Sequence, residues 1–132
     1  MTDSAHEPRR RSPFVEMLGL RFTSVKDGAS HCTLEVCDRL MNPNRVLHGG
    51  VVYSMVDTGM GAALHSLLDP GQICATIEIK IVYLRAVTSG ILKCESKVLS
   101  RQADIAMLES DVRNGETLVA RALGTFSIFN RK

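Results

Sequence analysis

His48, Gly49 and Gly50 stand in a row at the head of a long apolar stretch, and Asp57 stands alone inside it. Their types and spacing suit an anion-binding turn beside an acid–base group. A helix that opens on a Gly-Gly step leaves backbone N–H groups unsatisfied at its positive dipole end, a ready site for an anionic oxygen. His48 and, just upstream, Asn42 can add polar contacts there. Asp57 lies about two turns in, too deep to cap a helix that begins at Gly50. A carboxylate on so apolar a helix carries a desolvation cost, the usual mark of a functional acid or base. Blander readings compete. The glycines could make only a tight turn, and His48 could be a hydrogen-bonded structural histidine. Asp57 could cap a segment after a kink or pair with Arg45. The coincidence of an oxyanion-type turn and an isolated carboxylate on one helix weighs against all three.

The surrounding pattern says what positions these residues. A short helix is expected over residues 13–20, with Pro13 in its first turn and Gly19 near its end. A strand over 21–26 meets the hairpin signal Asp27-Gly28. The next strand, 29–37, places Cys32, Leu34 and Val36 opposite His31, Thr33 and Glu35. Residues 39–47 read as a loop turned by Asn42-Pro43-Asn44. A long helix over 50–68 is stopped by Asp69-Pro70-Gly71. Four strands follow, over 73–84, 88–99, 104–113 and 118–129, the last two joined at Asn114-Gly115. The first of these is expected to place Ile73, Ala75, Ile77, Ile79, Ile81 and Tyr83 on one face. Six strands and one long helix make an α+β chain, in which only that helix can cover the apolar face of an antiparallel sheet. Gly59 and Gly61 each cost helix stability, about 1 kcal/mol against Ala, which suggests close packing.

Composition narrows the function. The chain has 132 residues, the size of one domain. The expected division is a flexible N-terminal arm over 1–12, carrying Arg9, Arg10 and Arg11, and a single domain over 13–132. Asp3 and Glu7 argue against reading the arm as a targeting peptide. A net charge of only +2 speaks against a nucleic-acid partner. Residues 51–68, broken by Asp57 and His65, are too polar for a membrane span. Cys32, Cys37, Cys74 and Cys94 show no C-x-x-C pairing and no zinc-ligand spacing, so reduced thiols in a cytoplasmic protein, with no metal, are expected.

The spaced motif Asn42-x5-His48-Gly49-Gly50-x6-Asp57 resembles the hotdog-fold acyl-CoA thioesterases of the PaaI type. Thr76 with its long strand, Ile81-Val82-Tyr83-Leu84-Arg85, Leu118-Val119-Ala120 and Gly124-Thr125-Phe126 agree, so the likeness runs over nearly the whole chain. Ala86 departs from it, since the family commonly has proline after the arginine. The resemblance implies a six-stranded antiparallel sheet wrapped around the central helix and hydrolysis of an acyl-CoA thioester at a subunit interface, with no cofactor beyond the coenzyme A of the substrate. It implies that the Gly49 amide binds the thioester carbonyl, that Asn42 and His48 help to polarise it, that Asp57 is general base or nucleophile, and that Thr76 positions the water. Tyr83 and Arg101 match positions near bound coenzyme A.

Two other readings stay in view. A hotdog hydratase or dehydratase would need a His/acid pair acting on one substrate carbon. A non-enzymatic acyl-CoA-binding module would be favoured by loss of the carboxylate, and Asp57 is present. Geometry adds an expectation about assembly. Gly49 and Asp57 are eight positions apart, about 12 Å along one helix. One helix therefore does not easily bring both groups to one carbonyl, and a homodimer with two composite sites does. The resemblance points the same way and implies a dimer of dimers.

Overall fold

The computed structural model describes residues 12–132; the expected arm, apart from Ser12, lies outside them. The elements run α1 (Pro13–Leu18), β1 (Leu20–Lys26), β2 (Ala29–Glu35), α2 (Gly49–His65), β3 (Gln72–Tyr83), β4 (Ile91–Arg101), β5 (Ile105–Asn114) and β6 (Thr117–Asn130). Ser12 caps α1 by accepting from the Val15 amide at 3.4 Å, and Gly19 closes it in the left-handed conformation at φ 80°. The strands form one six-stranded antiparallel sheet in the order β1-β2-β4-β5-β6-β3. Among the described residues, no helix is long and apolar enough to cross a membrane.

The sheet wraps α2 as its pattern requires. Met55, Val56, Met60, Ala63 and Leu64 are fully buried against Leu34, Leu92, Leu108 and Val112 from the sheet. Truncating one of the larger of these side chains to Ala costs about 2–5 kcal/mol. At Gly59 the helix lies close against the strands. A Cβ there would fall 2.7 Å from Ser96 Oγ. The Ser30 hydroxyl donates to the Gly59 carbonyl at 2.6 Å, and the buried Ser96 and Ser110 hydroxyls bond each other at 2.6 Å. Gly61 is different, because a Cβ there would meet the Phe126 ring at an ordinary 3.9 Å. The close packing expected of both glycines is needed only at Gly59.

Two expectations are corrected. The long helix ends at His65, three residues before the expected 68. The Ser66 hydroxyl turns back to the Ala63 carbonyl at 2.7 Å and accepts from the Gly28 amide at 2.8 Å, and Leu67 and Leu68 tighten to i→i−3 bonds. The second concerns β3. Thr76 pairs with Phe126 and Glu78 with Thr125, so Ile77 is an extra residue, a β-bulge. The bulge reverses the facing of the strand: Cys74 and Thr76 point at α2 before it, and Ile79 and Ile81 pack on the core after it. Ile77 is left 57% exposed. The single apolar face expected to run from Ile73 to Tyr83 is therefore divided at this point.

The four cysteines are free thiols, with Cys32 and Cys94 buried opposite each other on β2 and β4.

Candidate active site

The start of α2 is held from several sides. In the loop before it, the Asn42 side-chain oxygen accepts from the Asn44 amide at 2.8 Å and the Val46 amide at 3.3 Å. That leaves the Asn42 side-chain nitrogen, Nδ2, without a partner among the described residues. The Leu47 amide bonds the Val87 carbonyl at 2.7 Å, and the His48 amide bonds the Leu40 carbonyl at 2.9 Å. His48 is the N-cap itself: its Nδ1 accepts from the Gly50 amide at 2.8 Å. This is why α2 starts at Gly49, one residue earlier than expected. The bond also places the proton of a neutral imidazole on Nε2.

Tyr83, at the end of β3, donates its hydroxyl to the Gly49 carbonyl at 2.8 Å. A Cβ on Gly49 would sit 3.3 Å from the Tyr83 Cζ and Oη, and one on Gly50 would sit 2.9 Å from His48 Nδ1. The Gly pair is thus more than a tight turn, since two side chains lie against its bare backbone. Gly49's own N–H has no partner among the described residues. It is left at the positive end of a 17-residue helix, where an anionic oxygen is stabilised. Burial raises the Tyr83 phenol above its ordinary 10.0, and the neighbouring Tyr53 adds to the effect, so Tyr83 remains a donor at neutral pH.

Two turns along α2, Asp57 is partly exposed and accepts at Oδ1 from the Thr76 hydroxyl at 2.6 Å. It sits in mid-helix and pairs with Thr76, not with Arg45, so neither structural alternative for it holds. Arg101 lies elsewhere. Its Nη2 donates to Gln72 Oε1 at 3.0 Å, at the opposite end of β3 from Tyr83. Within one chain the structure therefore assembles His48, Gly49 and Tyr83 as one cluster, with Asn42 in the loop leading to it. Asp57 and Thr76 form a second cluster, and Arg101 stands apart from both.

A cavity of about 360 Å³ adjoins Gly49, lined by Leu47, Val52, Tyr83, Val87 and Val119, with Arg85 among its remaining residues. Sequence reasoning missed this cavity and the Tyr83–Gly49 bond. The apolar residues at 47, 52, 87 and 119 come from four separate segments, and no local spacing links them. Among the described residues, no three His, Cys, Asp or Glu side chains are placed to hold a metal ion.

The family model of the thioesterase superfamily matches residues 44–120, from the loop before α2 into β6. The chain belongs to the thioesterase superfamily. Its similarity to members is spread over the whole domain. The structure of conserved protein PA5202 from Pseudomonas aeruginosa is 35% identical, covers 92% of this chain and 100% of that one, and superposes with a TM-score of 0.88. Thioesterase HI1161 from Haemophilus influenzae is 26% identical, covers 89% of this chain and 82% of its own, with a TM-score of 0.84. The proofreading thioesterase EntH of Cronobacter turicensis is 31% identical over 67% of this chain and 66% of its own length. The α+β sheet-and-helix architecture is the hotdog of this superfamily.

Proposed function

We propose that this chain hydrolyses acyl-CoA thioesters, at composite sites formed by two copies of itself. The observation that carries the reading is the unpartnered Gly49 amide at the positive end of α2, opening beside an apolar cavity. A thioester carbonyl oxygen bound to that amide gains stabilisation as it becomes an oxyanion, and the acyl group enters the cavity. The side-chain NH2 of Asn42 and the Nε2–H of His48 add donors nearby. Asp57 acts as general base or nucleophile: it either takes the proton of the attacking water or attacks the carbonyl itself. The Thr76 hydroxyl occupies one carboxylate oxygen and leaves the other for the reaction. The tetrahedral intermediate then collapses, the C–S bond breaks, and the coenzyme A sulfur leaves as thiolate and takes up a proton; on the nucleophilic route water then cleaves the acyl–Asp57 anhydride to the free acid and the carboxylate. No cofactor enters these steps.

The dimer follows from the edge strand. β3 is 12 residues long and, among the described residues, unpaired along one side, and Ile77, Val82 and Tyr83 are exposed on it. A long edge of this kind pairs readily with another strand. Two β3 strands laid antiparallel about a two-fold axis near the bulge would set the Tyr83 end of one chain against the Gln72 end of the other. Gly49 would then approach Asp57 of the partner subunit, with Arg101 of the partner subunit at the rim for coenzyme A phosphates. A dimer of dimers is the assembly proposed beyond this pair.

A hydratase is disfavoured because the His48 Nδ1 is already committed to Gly50. A non-enzymatic acyl-CoA-binding module has no use for a carboxylate held by Thr76. The deciding experiment is thiol release from short, medium, long and aromatic acyl-CoA esters. Turnover with at least one ester, lost in Asp57→Asn, is expected; binding without turnover across the set would overturn the reading.

A further inference from the structure

We propose that Tyr83 is a positioning residue for the oxyanion donor, acting with His48 as a clamp on the Gly49–Gly50 peptide group. The proposal rests on the hydrolytic reading of this site and changes the part Tyr83 plays in it.

One peptide plane carries both contacts. Its oxygen, the Gly49 carbonyl, accepts from the Tyr83 hydroxyl at 2.8 Å. Its nitrogen, the Gly50 amide, donates to His48 Nδ1 at 2.8 Å. A peptide group is rigid and flat, so holding its two ends fixes the orientation of the whole unit. The contacts come from different elements. His48 is the residue before the helix, and Tyr83 arrives from the end of β3, 34 positions along the chain.

The clamp answers a difficulty the site creates for itself. A side chain at position 49 would crowd the Tyr83 ring, since a Cβ there would sit 3.3 Å from it. Two successive glycines are the loosest backbone a helix can start on, since neither has a side chain to restrict φ and ψ. The N–H that would meet the substrate belongs to Gly49, one Cα away from the clamped plane. The plane of that N–H is itself held at its other end, where the His48 carbonyl accepts from the Val51 amide at 2.9 Å, and anchoring the next plane limits the freedom that remains. The hydroxyl of Tyr83 thus adds order at a turn where its ring favours a residue without a side chain. Tyr83 and Gly49 also line the same cavity, so the anchored plane forms part of its wall.

This role differs measurably from a contact to coenzyme A. A hydroxyl that binds coenzyme A equally in ground and transition states lowers KM alone. A hydroxyl that orients an oxyanion donor acts on kcat, because the donor matters most as charge develops. Removing an oxyanion donor outright costs about 10²–10³ in kcat; loosening one is expected to cost about 10-fold.

The test is Tyr83→Phe, which keeps the ring and deletes the hydroxyl, with His48→Ala as the variant that opens the clamp from its other end. Amide hydrogen exchange at Gly50 reads the clamp directly and needs no turnover, so it stands even if the chain hydrolyses no thioester. Exchange at Gly50 should rise about 10-fold or more in Tyr83→Phe while core amides such as those of Leu92 and Leu108 hold their wild-type rates. In the active enzyme, kcat should fall about 10-fold with KM within about 2-fold. Tyr83→Phe combined with His48→Ala should cost less than the product of the single effects, since both release one plane. Unchanged Gly50 exchange in Tyr83→Phe would overturn the clamp. So would a raised KM at constant kcat, which would return Tyr83 to coenzyme A binding.

Discussion

The Thr76 hydroxyl lies 2.6 Å from Asp57 Oδ1, a bond that ties the one acidic side chain of the central helix to the edge strand of the sheet. It sets which carboxylate oxygen is occupied and which is open. Asp57→Asn or Asp57→Ala should lower kcat by about 10²-fold or more with acyl-CoA binding nearly intact, since loss of a general base is worth about 10²–10⁴. Thr76→Val should cost about 10-fold and Thr76→Ser much less. Near-wild-type turnover in a folded Asp57→Ala protein would remove Asp57 from the mechanism. Single turnover in ¹⁸O-labelled water separates its two roles, because only a nucleophilic Asp57 takes the label into its own carboxylate.

Complementation tests the composite site. Chains carrying Asn42→Ala with His48→Ala, and chains carrying Asp57→Ala, should each be nearly inactive. Unfolded together in equal amounts and refolded, they should recover about a quarter of wild-type activity. Half of the dimers are then mixed, and one of their two sites is free of substitutions. No recovery in demonstrably mixed dimers would sink the arrangement.

Arg101 makes a different kind of prediction. In one chain it is bonded to Gln72, far from the Gly49 cluster, so it reaches substrate only across a dimer. Arg101→Ala should raise KM for acyl-CoA severalfold with little change in kcat, and the KM difference should shrink at high salt. An unchanged KM would make Arg101 a surface charge.

The cavity beside Gly49 predicts a limit on acyl length. Ala86 lies on its wall and is exposed, so a large side chain there narrows the space without entering the core. Ala86→Trp should shift preference toward shorter acyl groups, with the melting temperature within a few degrees of wild type. An unaltered chain-length profile would place the acyl group elsewhere.

The thiols give a prediction with a sign. A hydrogen bond with Cys94, followed by burial, pushes the Cys32 thiol well above its ordinary 9.0. Native protein should therefore expose at most Cys37 and Cys74 to a thiol reagent, and unfolded protein all four. Folding holds the Cys32 proton more tightly than the unfolded chain does. The same bond draws the Cys94 thiol down against the effect of burial, so Cys32→Ala should raise the pH at which Cys94 titrates, read by thiolate absorbance.

Much of this architecture was legible because it is written in local patterns. The strand boundaries follow alternation and turn residues such as Asp27-Gly28 and Asn114-Gly115. The head of α2 follows His48-Gly49-Gly50, and Asp57 stands out as the one charge on its helix. What stayed hidden depends on contacts between distant segments. Nothing at Tyr83 announces that its hydroxyl will meet a carbonyl at Gly49. Asn42 reads as a substrate contact, yet its oxygen is consumed in folding its own loop. The early stop of α2 turns on Ser66 finding the Gly28 amide, a pairing made only by the tertiary fold. Gly59 and Gly61 look alike in sequence and differ only in what lies opposite them.

The extra residue at Ile77 has a consequence in arithmetic. Thr76 and Tyr83 are seven positions apart, an odd interval, and an uninterrupted strand sends side chains at odd intervals to opposite sides. Their partners Asp57 and Gly49 are eight apart on a helix, about 800° of winding, which returns them to within about 80° of one another. Strand and helix count in different units, and the bulge is the leap day that brings the two calendars into agreement. A chain one residue shorter at this point would keep six strands and a helix. It would still have to surrender one of its two hydroxyl contacts, either the one to the Asp57 carboxylate or the one to the Gly49 carbonyl. Length at this single position of an edge strand therefore decides whether both hydroxyls reach their partners.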